Sequence, residues 1–140
     1  MPFEFFDHTG DIAVRLTAPT RDGLFAAACE ALCEAITTPE HVATVEPRAV
    51  EVRAGDVETL LVDWLSELIY WFDADRWLAR TARIHVSIEG ETFSLQGTAF
   101  GESFDPARHA IKILIKAATY HGLSVKQTVD GWTATVVFDI

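Results

Sequence analysis

The stretch DVETLLVDWLSELIYWF, residues 56–72, decides how this chain folds. Val57, Leu60, Leu61, Trp64, Leu65, Leu68, Trp71 and Phe72 recur at i, i+3 and i+4 spacing, which lays one apolar stripe along an α-helix. Asp56 stands where a carboxylate caps the first turn, with Glu58 and Thr59 just inside. Asp63 and Glu67 fall off the stripe at i and i+4, and read as a solvated or hydrogen-bonded flank.

Upstream, TRDGLFAAACEALCEAI (20–36) predicts a second helix, with Thr20 as its cap and Phe25, Ala28, Cys29, Leu32 and Ile36 at helical spacing. TTPEH (37–41) breaks it, and AVEVRA (49–54) alternates as a strand does. Residues Phe3 to Phe6 and Ile12 to Thr17 predict two short strands around the turn DHTGD (7–11). Downstream, ARIHVSIEG (82–90) and TFSLQGTAFGE (92–102) alternate as antiparallel neighbours turning at Gly90 and Glu91. After a proline-containing connection come the alternation Ile111, Ile113, Ile115 and a last hairpin, whose DG pair (130–131) predicts a type I′ turn. This order argues for an α+β fold: one compact domain over residues 1–140, with two helices packed on one face of a mainly antiparallel or mixed sheet.

The totals narrow the function. An apolar content of 49% supports a core without disulfides or a structural metal. Asp and Glu outnumber Lys and Arg by 21 to 11, a formal net charge of -10 that repels phosphate backbones. Direct binding of nucleic acid is not expected; a basic protein partner or a hard cation suits this charge better. The opening MPFEFFDHTG lacks the basic and continuous apolar regions of a signal peptide, and no stretch suits a membrane span, so a cytoplasmic protein is expected. Cys29 and Cys33, four apart and without further ligands at metal spacing, read as core-facing thiols kept reduced.

Three segments could carry chemistry. DHTGD offers His8 and Asp11, either as a ligand pair or as a polar turn bonded to its own backbone. The sequence closes on VVFDI (136–140), which sets Asp139 beside the oxygens of Ile140, as a tied-down strand end or as part of a cation site. If the two meet, Asp11, Asp139 and Ile140 gather hard oxygen ligands that suit calcium, magnesium or manganese better than zinc. In IKAATYHGLSV (115–125), Lys116 interrupts an apolar run, either reaching water from a strand edge or offering its ammonium to an anion or to the acid cluster. Tyr120 and His121 place polar tips on apolar bodies, either completing the core edge or touching a ligand, and His109 in DPARH (105–109) reads as part of a binding loop. Phosphate loop, dinucleotide fingerprint and nucleophile elbow are all missing from the sequence, so a self-sufficient enzyme is not indicated.

FEFFDHTGDIAVRL (3–16), LLVDWLSELIYWF (60–72), GESFDPARH (101–109) with IKAATYHGLSV, and GWTATVVFDI (131–140) together resemble the archease family, in order and over essentially the whole chain. The resemblance implies an accessory protein, not an enzyme. Archeases activate the RtcB-type RNA ligase of tRNA splicing and RNA repair by promoting GTP-dependent guanylylation of its active-site histidine, raising turnover and broadening nucleotide use. It implies a divalent-cation site on Asp11, Asp139 and the main-chain oxygen of Ile140, calcium before magnesium or manganese. It also implies a role in activation for Lys116 with Asp11. His8, Thr9, His109, Tyr120 and His121 are expected to support that site or touch the partner. Gly10 stands where many relatives carry alanine, which implies a looser turn before Asp11. Two other readings compete: a metal-dependent phosphoester hydrolase using Asp11 and Asp139 with His8 or His121 as base, and a chaperone-like module using Trp64, Trp71, Phe72 and Trp77.

Overall fold

Thr20 and Asp56 start the two helices as their side chains predict. In the computed structural model, which describes residues 2–8 and 10–140 and only the backbone of Asp7 and His8, the Thr20 hydroxyl accepts from the Gly23 amide at 3.0 Å. This caps α1, Arg21–Ile36. The Asp56 carboxylate accepts from the Thr59 amide at 2.7 Å and caps α2, Val57–Asp75, which ends at Arg76 in the left-handed conformation. Thr37 closes α1 by donating its amide to the Cys33 carbonyl at 2.9 Å.

The strands are β1 (Phe3–His8), β2 (Asp11–Ala18), β3 (Glu46–Ala54), β4 (Trp77–Glu89), β5 (Thr92–Ser103), β6 (Ala117–Thr128) and β7 (Gly131–Asp139). They divide into two sheets, ordered β1-β2-β7-β6 and β3-β5-β4, and every pairing is antiparallel. The α+β expectation holds, with two sheets in place of one. Both helices reach both sheets: α1 packs on β2, β7 and β4, and α2 on β6, β3, β4 and β5. The girth of α2 explains this arrangement. Val62 and Ile69 are buried in addition to the stripe from Leu60 to Phe72, so one sheet is not enough to cover the helix. Asp63 and Glu67 lie half-buried on its flank, where burial first, and then Asp56, pushes the Asp63 carboxyl up.

Cys29 and Cys33 are buried and unbridged. Burial is the leading reason that the Cys33 thiol is pushed up to about 12 and that of Cys29 raised, so both stay protonated and unreactive at neutral pH.

Two local expectations change. The last hairpin pairs Thr128 with Gly131, so its loop is Val129–Asp130, one residue earlier than DG. Neither loop residue takes positive φ, as a type I′ turn demands at both. Gly131 instead has φ +151, and a Cβ there would lie 2.3 Å from the Ala18 carbonyl oxygen. Ile111, Ile113 and Ile115 do alternate inward, with Lys112, Leu114 and Lys116 exposed, yet residues 111–116 form no strand. Their backbone clasps the end of α1: Lys112 donates its amide to the Ile36 carbonyl at 2.7 Å, and the Thr37 hydroxyl donates to the Ala110 carbonyl at 2.7 Å. Helix-end carbonyls have no partner inside the helix, so the passing segment satisfies them instead.

Among the described residues, no helix is long and apolar enough to cross a membrane.

Candidate functional site

The β1–β2 hairpin and the end of β7 meet at one edge of the four-stranded sheet. Gly10 turns the hairpin at φ +72, a conformation that glycine adopts without strain, and Asp11 is the first residue of β2. β2 then pairs with β7 in a register that sets Asp11 directly opposite Asp139. Residues directly opposite point to the same face. That face is opposite to the one carrying Val14 and Leu16, which alternate with Asp11 and are buried in the core opposite Val136 and Ala134; Ile12, on the same side as Val14, is half-buried. On the other side of Asp139, β6 begins at Ala117, its register partner. The Lys116 amide donates to the Asp139 carbonyl at 2.8 Å. Asp11, Asp139, Ile140 and Lys116 are thus brought to one place. Asp11 is half-buried, and the other three are exposed.

Two carboxylates facing each other across a strand pair repel, and that repulsion suits a cation between them. The oxygen donors available are the two carboxylates and main-chain carbonyls. Among the described residues no three His, Cys, Asp or Glu side chains gather as a metal cage, so a cation here would depend on main-chain oxygen, as from Ile140, and on water.

Beside Asp11 opens a cleft of about 460 Å³, lined by Phe5, Phe6, Ile12, Glu34, Lys112 and Ile113 among others. Its rim is tied: Lys112 donates its ammonium to the Glu34 carbonyl at 3.1 Å and pairs with the Glu34 carboxylate at 3.6 Å. Arg15 covers the Phe6 ring at 5.2 Å. Sequence reading missed this cleft. Glu34 and Lys112 lie 78 residues apart, and nothing local marks them as neighbours.

The remaining expected residues separate. The His8 side chain and Thr9 lie outside the described residues. Tyr120 and His121 belong to a large bulge on the edge strand β6: Thr119 pairs with Val137 and Ser124 with Thr135, so Tyr120 to Leu123 stand opposite Val136 alone. The bulge is fixed by the Thr119 hydroxyl, which donates to the Val137 carbonyl at 2.9 Å and accepts from the His121 amide at 3.3 Å. Tyr120 is 60% exposed, so it is free to touch a partner.

His109 is not. Its ring is buried, with Nδ1 accepting the Asp105 amide at 2.8 Å, which leaves the proton on Nε2 to donate to Glu102 at 2.9 Å. A contact between this ring and a partner is therefore corrected to an internal role. Glu102 also accepts from the Ala43 amide at 2.8 Å and from Arg108 at 2.7 Å. The hydrogen bond from Arg108 leads the causes that hold its carboxyl down at about 2. Glu102 joins the loop after α1 to the segment that leads to Lys116.

A pH prediction follows from this carboxylate. Its pKa is lowered on folding, from 4.5 to about 2, so the unfolded chain binds the proton more readily and stability falls as pH drops through that window. Above pH 4.5 the contribution is complete. Glu102→Gln is expected to lower stability at neutral pH by about 2 kcal/mol, the cost of weakening charge-assisted hydrogen bonds whose arginine partner is half exposed. It is also expected to flatten the stability loss between those two pH values, measured by urea unfolding. Parallel acid profiles for the two proteins would refute it.

Residues 3–140 match the family described as "Archease protein family (MTH1598/TM1083)". Protein archease of Methanosarcina barkeri is 36% identical over 139 residues, covering 99% of this chain and 95% of the relative. That of Methanosarcina acetivorans is 38% identical over 141 residues, with the same coverage. The solution structure of Methanobacterium thermoautotrophicum protein 1598 superposes with a TM-score of 0.79 at 29% identity, covering 99% of both chains. A Thermotoga maritima crystal structure, described as an archease and possible chaperone, shares the fold with a TM-score of 0.61 at 22% identity, covering 96% of this chain and 94% of that one. The chain belongs to the archease family.

Proposed function

We propose that this protein activates an RtcB-type RNA ligase, promoting guanylylation of the ligase's active-site histidine from the site formed by Asp11, Asp139, Ile140 and Lys116. The observation that supports this reading best is the register that sets Asp11 opposite Asp139, with the Lys116 amide bonded to the same Asp139. An acidic surface of net charge -10 complements the basic cleft in which a ligase holds nucleoside triphosphate. A hard divalent cation on Asp11, Asp139 and the Ile140 carbonyl, calcium before magnesium or manganese, would supply positive charge beside the phosphates. Lys116 is exposed, and its ammonium reaches the same anions; guanylyl transfer gains most from positive charge held in place. Asp139 positions Lys116 through its main chain. The β6 bulge that presents Tyr120 provides a neighbouring contact.

The chaperone description of the Thermotoga maritima relative suggests a second reading, but the aromatics that would serve it are closed off. Trp64, Trp71, Phe72 and Trp77 are all at most 5% exposed, and Arg48 lies over the rings of Trp71 and Trp77 at 5.2 and 4.7 Å.

The test is single-turnover guanylylation of a purified RtcB-type ligase with GTP and divalent metal, with and without this protein. Stimulation is expected from the unaltered chain and at least about tenfold less from Lys116→Ala. Equal stimulation by the two would remove Lys116 from the mechanism, and no stimulation by the unaltered chain would end the ligase reading.

A further inference from the structure

We propose that the channel between the outer strands β1 and β4 seats an extended, basic segment of the partner protein, which pairs along β1 as an added strand. The identity of the partner rests on the ligase-activating role proposed above; the channel itself rests on the fold.

β1 and β4 are each the outermost strand of their sheet. Between them lies a cleft of about 290 Å³, lined by Phe3 of β1, Glu30 and Glu34 of α1, Glu40, and Arg80 and Thr81 of β4. Glu34 also lines the cleft of about 460 Å³ beside Asp11, so the two clefts adjoin at that side chain and together form a channel from the edge of β4 toward the candidate site. α1 forms its floor.

The two edges differ. β4 carries a bulge: Ala79 pairs with Gly101 and Thr81 with Phe100, leaving Arg80 with no residue opposite. A bulge spoils an edge for pairing. β1 has no such irregularity, and its register with β2 is continuous from Phe3 to His8. The Pro2 carbonyl accepts from the Thr17 amide at 2.8 Å, and antiparallel ladders alternate, so the amides and carbonyls of Phe3 and Phe5 point away from β2. Those groups are the template for a strand.

Charge selects the occupant. Four carboxylates, of Asp11, Glu30, Glu34 and Glu40, line the channel against two cations, Lys112 and Arg80. Lys112 is engaged by Glu34, and Arg80 donates to the Val42 carbonyl at 3.2 Å. Glu30 and Glu40 have no ion pair among the described residues. Phe3, Phe5, Ala35 and Ile113 supply apolar surface between them. A strand that alternates apolar residues with Lys or Arg fits both features, and it would deliver the partner along the channel toward Asp11.

The experiment is backbone amide hydrogen exchange of the full chain, alone and with a purified RtcB-type ligase, together with calorimetric binding of the unaltered chain and of Glu30→Lys/Glu40→Lys. The expected result is exchange at least about tenfold slower at the Phe3 and Phe5 amides in the complex. The paired charge reversal is expected to weaken binding about tenfold at low salt and less at high salt. A complex that leaves those amides unprotected and tolerates the reversal overturns the channel while the ligase reading stands. Failure to form any complex overturns the ligase reading and this occupant with it. Protection that grows with the chain's own concentration, without ligase, assigns the channel to a second copy and overturns the proposal.

Discussion

Trp64→Ala is expected to cost this fold about 4 kcal/mol, a large part of the margin of a small domain. Trp64 is fully buried at the centre of α2. Its indole N–H donates to the Phe25 carbonyl of α1 at 2.9 Å, so one side chain fills the space between the helices and bolts them together. Alanine leaves both a cavity and a lost hydrogen bond. Trp64→Phe keeps most of the volume and is expected to lose about 1–2 kcal/mol, chiefly the hydrogen bond and the missing ring atoms. Urea unfolding followed by far-UV circular dichroism checks both. A loss under about 1 kcal/mol for the alanine variant would show that the two helices hold together without this residue.

On the cation site proposed above, Asp139→Asn is expected to act in opposite directions with and without calcium. In chelator the variant should match the unaltered chain or exceed it by up to about 1 kcal/mol, because one of two like charges directly opposite each other has gone. With calcium at about a hundred times its dissociation constant, the unaltered chain should gain about 2.7 kcal/mol and the variant little. A loss of one ligand charge lowers calcium affinity on the order of 100-fold. Thermal unfolding in a calcium titration separates these effects from any change in ligase contact. Identical calcium-induced shifts in both proteins would place the ion elsewhere or nowhere.

Local patterns carried much of the architecture. The stripe from Leu60 to Phe72 and the caps Thr20 and Asp56 define both helices, because helix periodicity and capping act within a few residues. The Gly90–Glu91 turn and its two strands were legible for the same reason, as alternation and turn chemistry are local. The DG turn was not. Val129–Asp130 forms that loop and Gly131 approaches the Ala18 carbonyl, a contact with β2 that hairpin rules cannot see. His109 misled for a related reason: a histidine in a polar loop looks exposed until Glu102 and the Asp105 amide enclose it.

What the sequence determined by itself is therefore both helices and most of the strands, the family, and the residue types offered for a site, since each depends on local order or on motifs met one after another. Only the tertiary structure decided that Asp11 faces Asp139, that α2 needs two sheets, and that Glu34 and Lys112 close a cleft beside the hairpin. These are choices of strand register and packing. They are settled by burial summed over the whole core, in which each residue's neighbours are mostly distant in the chain.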